Sequence, residues 1–281
     1  MSGPTSAQLT LNNGVTIPQF GFGVFQVPPD EAQRTVEYAL EVGYRHIDTA
    51  AAYNNESGVG AALKASGLPR GEVFITTKLR NGEQGYDSAL RAYADSCARL
   101  GLDAVDLYLV HWPFPSAGRY VDSWRALEKL YGDGAVRAVG VSNFLLEHLD
   151  GLARHSDLVP TVNQIELHPT FQQRELAADS TRRGVAVEAY SPLGQGADLD
   201  APAVQQIAAA HSVTPAQVIL RWHLQSGHIV IPKSNTPKRI VENLDVGGFE
   251  LTSSELVAVD DLEAGARIGG NPATFALSQI S

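Results

Sequence analysis

The sequence predicts a (β/α)8 TIM barrel with an N-terminal β-hairpin closing one end. Three observations carry that expectation. Eight short apolar segments recur along the chain, each followed by at least one helix-length amphipathic segment. Sustained βα alternation requires a parallel sheet, and eight units within 281 residues point to closure of that sheet. The eight segments also read as near-continuous apolar runs, as expected when both faces are buried. Finally, each segment runs out into polar or aromatic residues, so chemistry would gather at one end of the barrel.

The elements follow in order. Asn12-Asn13-Gly14 between Gln8–Leu11 and Val15–Pro18 is a hairpin signal, because these residues accept positive φ. Gln19–Val24 is the first barrel strand. A helix from Pro29-Asp30 to Val42, capped by Asp30, stops at Gly43. Tyr44–Asp48 is the second strand, and its helix, Glu56–Ser66, stops at Gly67. Val73–Lys78 is followed by a helix over Tyr86–Leu100, with Gly101 after it. Val105–Val110 precedes Tyr120–Tyr131, Ala135–Val141 precedes Leu145–Arg154, and Thr161–Ile165 precedes Gln172–Arg183. Val185–Tyr190 is followed by two helices, Pro202–His211 and Pro215–Gln225. Ile229–Ile231 is the eighth strand, with helices Pro237–Leu244 and Ser253–Leu262 after it. The tail from Gly265 is irregular. An open doubly wound sheet is the rival. It ranks lower because Gly21-Phe22-Gly23 is only a fragment of a Gly-rich phosphate turn and no helix opens directly after it. No linker, charge run or short-period repeat divides the chain, so residues 1–281 read as a single barrel domain.

Composition narrows the function classes. Apolar residues make up 44% and charged residues 19%, which describes a folded globular protein. A net charge of −10 argues against a general nucleic-acid or anionic-membrane surface and leaves room for a local basic pocket. The lone Cys97 forms no internal disulfide, which suits a reducing compartment, and its helical setting makes it a packed thiol. Met1–Thr10 has neither the basic nor the apolar region of a signal peptide, and no apolar run approaches the ~20 residues that span a bilayer. A cytoplasmic protein is therefore expected, with no nucleic-acid or membrane partner. Nothing suggests an obligate interface, so the expected state is a monomer. His46, His148, His155, His211, His223 and His228 show no ligand spacing, so no metal is expected. His168 is read as structural, because Pro169 fixes its turn beyond a strand end.

Sites in such barrels form at the C-terminal ends of the strands. The second strand ends at Asp48, with Tyr53 on the loop after it. The third ends at Lys78, the fourth at His111-Trp112, the fifth at Ser142-Asn143, the sixth at Gln164 and the seventh at Tyr190. The eighth leads into Lys233-Ser234-Asn235. Taken singly, Asp48 could cap a loop, Lys78 could be solvated and His111 could be packed. Taken together they supply an acid, a cation to tune it, a carboxylate to hold the cation and an imidazole to orient a carbonyl oxygen. That combination suits proton donation to a developing alkoxide. Lys233, Lys238 and Arg239 crowd into seven residues of an acidic chain. With Ser234 and a helix starting near Pro237 they suit an anion, the other reading being a solvated basic turn.

These residues carry a family resemblance. Asp48-Thr49-Ala50 with Tyr53, the Thr77-Lys78-Leu79 strand end and Leu109-Val110-His111-Trp112-Pro113 resemble the aldo-keto reductases. So do Gly140–Phe144, Asn163–Pro169, Tyr190–Gly194 and Ile231–Ser234. The match runs in order from about Thr10 to Leu262. Val162–Pro169, Ser191–Gly196 and the short C-terminus are similar to the bacterial 2,5-diketo-gluconate reductase branch in particular. The resemblance implies a barrel that binds NADPH without a Rossmann fold, and a catalytic tetrad of Asp48, Tyr53, Lys78 and His111. Tyr53 would be the general acid for reduction. Lys78, paired with Asp48, would lower its pKa, and His111 would direct the substrate carbonyl. Hydride would come from the nicotinamide.

By the same resemblance Ser142, Asn143 and Gln164 would hold the carboxamide, and Tyr190 would stack on the nicotinamide. Ser191, Leu193 and Gln195 would follow the pyrophosphate. Lys233, Ser234, Asn235 and Arg239 would surround the 2′-phosphate, with Glu242 and Asn243 at the adenine. Phe25, Trp112 and Phe275 would wall the substrate pocket. Arg80 departs from the aromatic residue that the family often places two positions after the lysine. It either favours acidic substrates or faces solvent on a loop. The expected activity is NADPH-dependent reduction of small aldehydes, α-dicarbonyls, keto-sugars or keto-acids. The alternatives are a non-catalytic NADP(H)-binding module, like the reductase-like β subunits of potassium channels, and, more distantly, a metal-dependent barrel hydrolase.

Overall fold

The computed structural model describes residues 7–276. Its hairpin strands are β1 (Gln8–Thr10) and β2 (Thr16–Pro18), paired antiparallel around the Asn12-Asn13-Gly14 turn. Gly14 takes φ +84°, the left-handed conformation that the turn needs. The barrel strands are β3 (Phe22–Gly23), β4 (His46–Asp48), β5 (Phe74–Leu79), β6 (Leu107–Val110), β7 (Ala138–Ser142), β8 (Val162–Glu166), β9 (Ala186–Tyr190) and β10 (Ile229–Val230). They lie in sequence order, each parallel to the next. A parallel bridge from Phe20 to Val230 brings the two ends of the sheet together.

The helices α1 (Pro29–Val42), α2 (Glu56–Ser66), α3 (Tyr86–Leu100), α4 (Tyr120–Gly132), α5 (Leu146–Ala153), α6 (Arg174–Arg182), α7 (Pro202–His211), α8 (Pro215–Gln225), α9 (Pro237–Leu244) and α10 (Ser253–Asp260) form the outer layer. Helices were legible to within a residue or two at most ends. Six of the eight barrel strands come out shorter than their apolar runs, because the ladder begins only where the neighbouring strand is alongside, whereas β5 and β8 keep their expected length and shift by one residue. One cap was misread. The first helix starts after Pro28, and Asp30 makes no capping hydrogen bond. It lies in the first turn, where a carboxylate still meets the positive end of the helix dipole. No helix among the described residues is long and apolar enough to cross a membrane.

Side chains on a barrel strand alternate between the interior and the helices. The outward positions, such as Ile47, Ile75, Tyr108, Val139, Val141, Ile165 and Val187, join the main apolar cluster with the helices. The inward positions divide into two layers. Near the strand starts, Phe74, Leu107, Leu109, Ala138, Val162 and Ile229 pack with Leu11 and Ile17 of the hairpin, which plugs that end. Asn12 and Asn13 pin the plug by donating to the backbone carbonyls of Pro160 and Arg137, each at 3.0 Å. Gly140 on β7 has to be glycine here, since a Cβ would come within 2.6 Å of the Val162 carbonyl oxygen. Two or four residues further along the same inward faces the lining turns polar: His46 and Asp48, Thr76 and Lys78, Gln164 and Glu188. All six are buried. The hairpin therefore seals the apolar floor, and ionisable groups stand at the open end.

Candidate active site

Lys78 on β5 is fully buried. Its Nζ donates to Asp48 Oδ1 at 2.6 Å and to the Thr49 carbonyl at 2.9 Å. Burial opposes its charge, but Asp48 and Tyr53 more than offset that, and the ammonium is held above its ordinary pKa. A short 3-10 turn, Ala51–Tyr53, follows β4 and ends at Asn54 in the left-handed region. That turn brings the Tyr53 ring to 5.1 Å from Lys78 Nζ and to 5.6 Å, edge-on, from the His111 ring.

One electrostatic expectation needs correction. The Tyr53 phenol is raised, not lowered, relative to an ordinary tyrosine, because burial outweighs the opposing pull of Lys78. In this closed-in setting the lysine limits the rise. His111 is held well below its ordinary pKa, first by burial and then by Lys78, so the imidazole is neutral. Its Nδ1 is buried without a hydrogen-bond partner.

Next to these groups Asn143, the residue after β7, takes a left-handed conformation, φ 63°, which asparagine tolerates better than most residues. Its Nδ2 donates to the His111 carbonyl at 3.0 Å, and its Oδ1 accepts from the Tyr190 hydroxyl at 2.8 Å. Ser142 Oγ donates to the Gln164 carbonyl at 2.9 Å. Gln164 Nε2 donates to Asp48 Oδ2 at 2.8 Å and to Glu188 Oε2 at 3.0 Å.

A cavity of about 1110 Å³ opens over this end of the barrel. Asp48, Tyr53 and His111 line it, with Lys78 just behind them. Ser142, Asn143, Gln164 and Tyr190 continue the wall, followed by Ser191, Leu193 and Gln195, and it ends at Lys233, Ser234, Asn235, Arg239, Glu242 and Asn243. The structure thus brings every residue of the expected cofactor track to one continuous cleft. Ser191 and Gln195 have positive φ, as do Gly194 and Gly196. A Cβ on Gly194 would meet the Asp198 carboxylate at 2.7 Å, so this turn needs glycine. At the far end Lys233 and Arg239 are exposed, and among the described residues neither has a carboxylate partner, whereas Lys238 pairs with Glu242 at 3.4 Å.

Phe25 and Trp112 line the near end. Phe25 packs on Tyr53 with ring centroids 5.1 Å apart, and Trp112 stacks on Phe275. Arg80 is not brought to the cavity. Its Nη2 is 2.9 Å from Glu83 Oε1 within the same short turn, so the expected contact with an acidic substrate has no free cation behind it.

Sequence reasoning passed over two networks. Glu188 reads as part of an apolar strand, although a glutamate between Val187 and Ala189 in a parallel strand is itself a signal. His168, expected to be structural, is fully buried between Asp198 (2.9 Å) and Glu166 (3.2 Å). Glu166 also accepts the backbone N–H groups of Ile268 (2.6 Å) and Gly269 (2.7 Å). Asp198 belongs to the segment Gly194–Asp200 that carries Gln195, and Gly269 lines the cavity. His168 therefore ties the C-terminal tail to the loop beside the cleft.

The model of the Aldo/keto reductase family matches residues 19–264. The chain belongs to the aldo/keto reductase family. An aldo-keto reductase of Mycolicibacterium smegmatis is 50% identical over 270 residues, covering 96% of this chain and 98% of that one. The glyoxal reductase of Bacillus subtilis is 49% identical over 272 residues, with 96% and 98% covered. Among solved structures, a mutant of Gox0644 in complex with NADPH superposes with a TM-score of 0.93 at 46% identity, over 98% of this chain and 99% of that one. Family membership accords with the barrel, its N-terminal hairpin and the cleft at the C-terminal ends of its strands.

Proposed function

We propose that this aldo/keto reductase is an NADPH-dependent carbonyl reductase acting on small aldehydes and ketones, with α-dicarbonyls and keto-sugars as its main substrates. The observation that carries the reading is the buried Lys78–Asp48 pair beneath Tyr53 and a neutral His111 at one end of a long cleft. Keto-acids rank lower, because Arg80 is engaged by Glu83.

The cleft suits NADPH in the chemistry of its donors. Lys233, Arg239 and the Ser234 hydroxyl, beside the start of α9, suit a phosphate dianion. The turn from Ser191 to Gly196 would carry the pyrophosphate, Tyr190 would face the nicotinamide ring, and Gln164 with Asn143 and Ser142 would receive the carboxamide. Glu242 and Asn243 would border the adenine. When bound, NADPH supplies the hydride. Tyr53 donates the proton to the forming alkoxide oxygen. Lys78 stabilises the resulting phenolate, and Asp48 keeps Lys78 charged and in place. His111, being neutral, can donate one hydrogen bond to the carbonyl oxygen without competing for the proton. The NADPH-bound relative and the glyoxal reductase of 49% identity support this assignment of cofactor and substrate class.

The test is steady-state oxidation of NADPH and of NADH with glyoxal, methylglyoxal, a keto-sugar and a keto-acid. Turnover on the dicarbonyls with preference for NADPH is expected. Tight NADPH binding with no turnover on any carbonyl would instead make the chain a cofactor-binding module.

A further inference from the structure

Glu188 and His46 are the two ionisable groups of the barrel's polar layer for which the proposed chemistry has no use, and Glu188 is the acidic one. It is wholly buried on β9, between Gln164 of β8 and Ile229 of β10 in the sheet register. The charged and titratable groups around it are Asp48 and His46 of β4, Lys78 of β5 and, further off, the Tyr53 phenol on the turn after β4. Asp48 and Lys78 already cancel each other at 2.6 Å. An ionised Glu188 would be a third charge with no counter-ion in a closed interior, which is strongly unfavourable.

The surrounding hydrogen bonds identify where a proton would sit. His46 Nδ1 lies 3.3 Å from the Pro18 carbonyl, which can only accept, so Nδ1 carries the ring hydrogen and Nε2 is bare. Burial holds the imidazole at a pKa of about 4, so it stays in that neutral form. Nε2 accepts the Thr76 hydroxyl at 3.3 Å, so Glu188 Oε1, 3.6 Å from that nitrogen, is left without a hydrogen-bond partner. Glu188 Oε2 accepts from Gln164 at 3.0 Å. A proton on Oε1 removes the uncompensated charge and leaves Oε2 as the carbonyl that accepts from Gln164. Burial and the neighbouring Asp48 push the carboxyl up to about 8.

We propose that Glu188 is a positioning residue. As a neutral carboxylic acid it accepts one amide hydrogen of Gln164 while Asp48 accepts the other, which fixes the Gln164 carbonyl oxygen as the atom offered to the cavity. This rests on the assignment of Gln164 to the nicotinamide carboxamide and extends it to the residue that holds Gln164 in place. Glu188→Gln keeps a carbonyl oxygen for Gln164 and cannot titrate. Glu188→Leu removes the acceptor.

The experiment measures dissociation constants for NADPH and for adenosine 2′,5′-bisphosphate, which lacks the nicotinamide, between pH 6 and 9.5. At neutral pH Glu188→Leu is expected to weaken NADPH roughly tenfold, one hydrogen bond's worth, and to leave the bisphosphate unchanged. Glu188→Gln is expected to restore NADPH binding. In the wild type the ratio of NADPH to NADP+ affinity should fall above pH 8, because an ionised Glu188 favours the positively charged ring. In Glu188→Gln that ratio should stay flat. Infrared difference spectra of the wild type should show a protonated-carboxyl band at pH 6 that fades through pH 8 and is missing from Glu188→Gln, which keeps the test open if the leucine variant does not fold. Equal losses for both ligands, or no carboxyl band at pH 6, would overturn the proposal. A wild type that binds the bisphosphate but gains nothing from the nicotinamide half of NADPH would instead sink the cofactor assignment beneath it.

Discussion

Phe275 lies flat on Trp112, with ring centroids 3.9 Å apart and 20° between the planes. The pair joins a residue of the C-terminal tail to the end of the fourth barrel strand, and both rings line the cleft. Stacked pairs contribute about 1 kcal/mol beyond the area they bury. Phe275→Ala should therefore raise KM for bulky carbonyls severalfold, change KM for glyoxal less, and leave the NADPH dissociation constant alone. Parallel steady-state and binding titrations check this. A uniform change across all substrates would mean that the ring does not shape the pocket.

The basic end of the cleft makes a separate prediction. Arg239 faces it from α9 with no carboxylate partner among the described residues. Arg239→Ala should weaken NADPH by roughly ten- to a hundredfold, the loss of a charge-assisted contact, and affect NADH little. Binding titrations with both cofactors decide it, and equal losses would remove the phosphate assignment.

Removing Lys78 should cost stability as well as activity. Lys78→Met leaves Asp48 buried with its Gln164 contact but without a counter-ion, which costs about 3–5 kcal/mol. Denaturant unfolding of this variant and of Lys78→Met/Asp48→Asn should show the double variant recovering much of the loss. If the two losses simply added, the pair would not be coupled.

The His168 clamp gives a pH dependence of definite sign. Burial disfavours its charge, but hydrogen bonds to Asp198 and Glu166 raise its pKa from the ordinary value of 6.5 to about 9. A group whose folded pKa is raised stabilises fully below its unfolded pKa, and that stability is lost as pH rises through the folded value. The thermal midpoint of the wild type should therefore exceed that of His168→Gln most at pH 6, and the gap should close by pH 10. A gap independent of pH would show that the ring acts by packing alone. Because Glu166 also holds Ile268 and Gly269, the variant should raise KM for bulky substrates in the same direction as Phe275→Ala.

Much of this was legible in the sequence because it is local. The βα alternation, the terminal glycines of the helices and the polar residues ending each strand are all near-neighbour signals, and they place Asp48, Tyr53, Lys78 and His111 at one rim. Less legible was whatever depends on long-range packing. The 3-10 turn that swings Tyr53 inward is built from Ala51-Ala52-Tyr53, and its one turn signal, Asn54, comes only after the tyrosine. The ion pair that retains Arg80 depends on which way a loop folds. The sign of the Tyr53 shift is a contest between burial and a neighbouring charge, and only three-dimensional placement decides it. Glu188 and Glu166 sit within apolar strands, where a period-two reading assigns them a face but no partner.

The central claim is that Tyr53 donates the proton within an intact cofactor site. It is tested by single-turnover reduction of methylglyoxal by Tyr53→Phe, beside the NADPH dissociation constant of the same variant. The account predicts unchanged NADPH binding and a reduction rate lowered at least about a hundredfold, the scale of a lost general acid. A Tyr53→Phe variant that binds NADPH and still reduces methylglyoxal near the wild-type rate would contradict it.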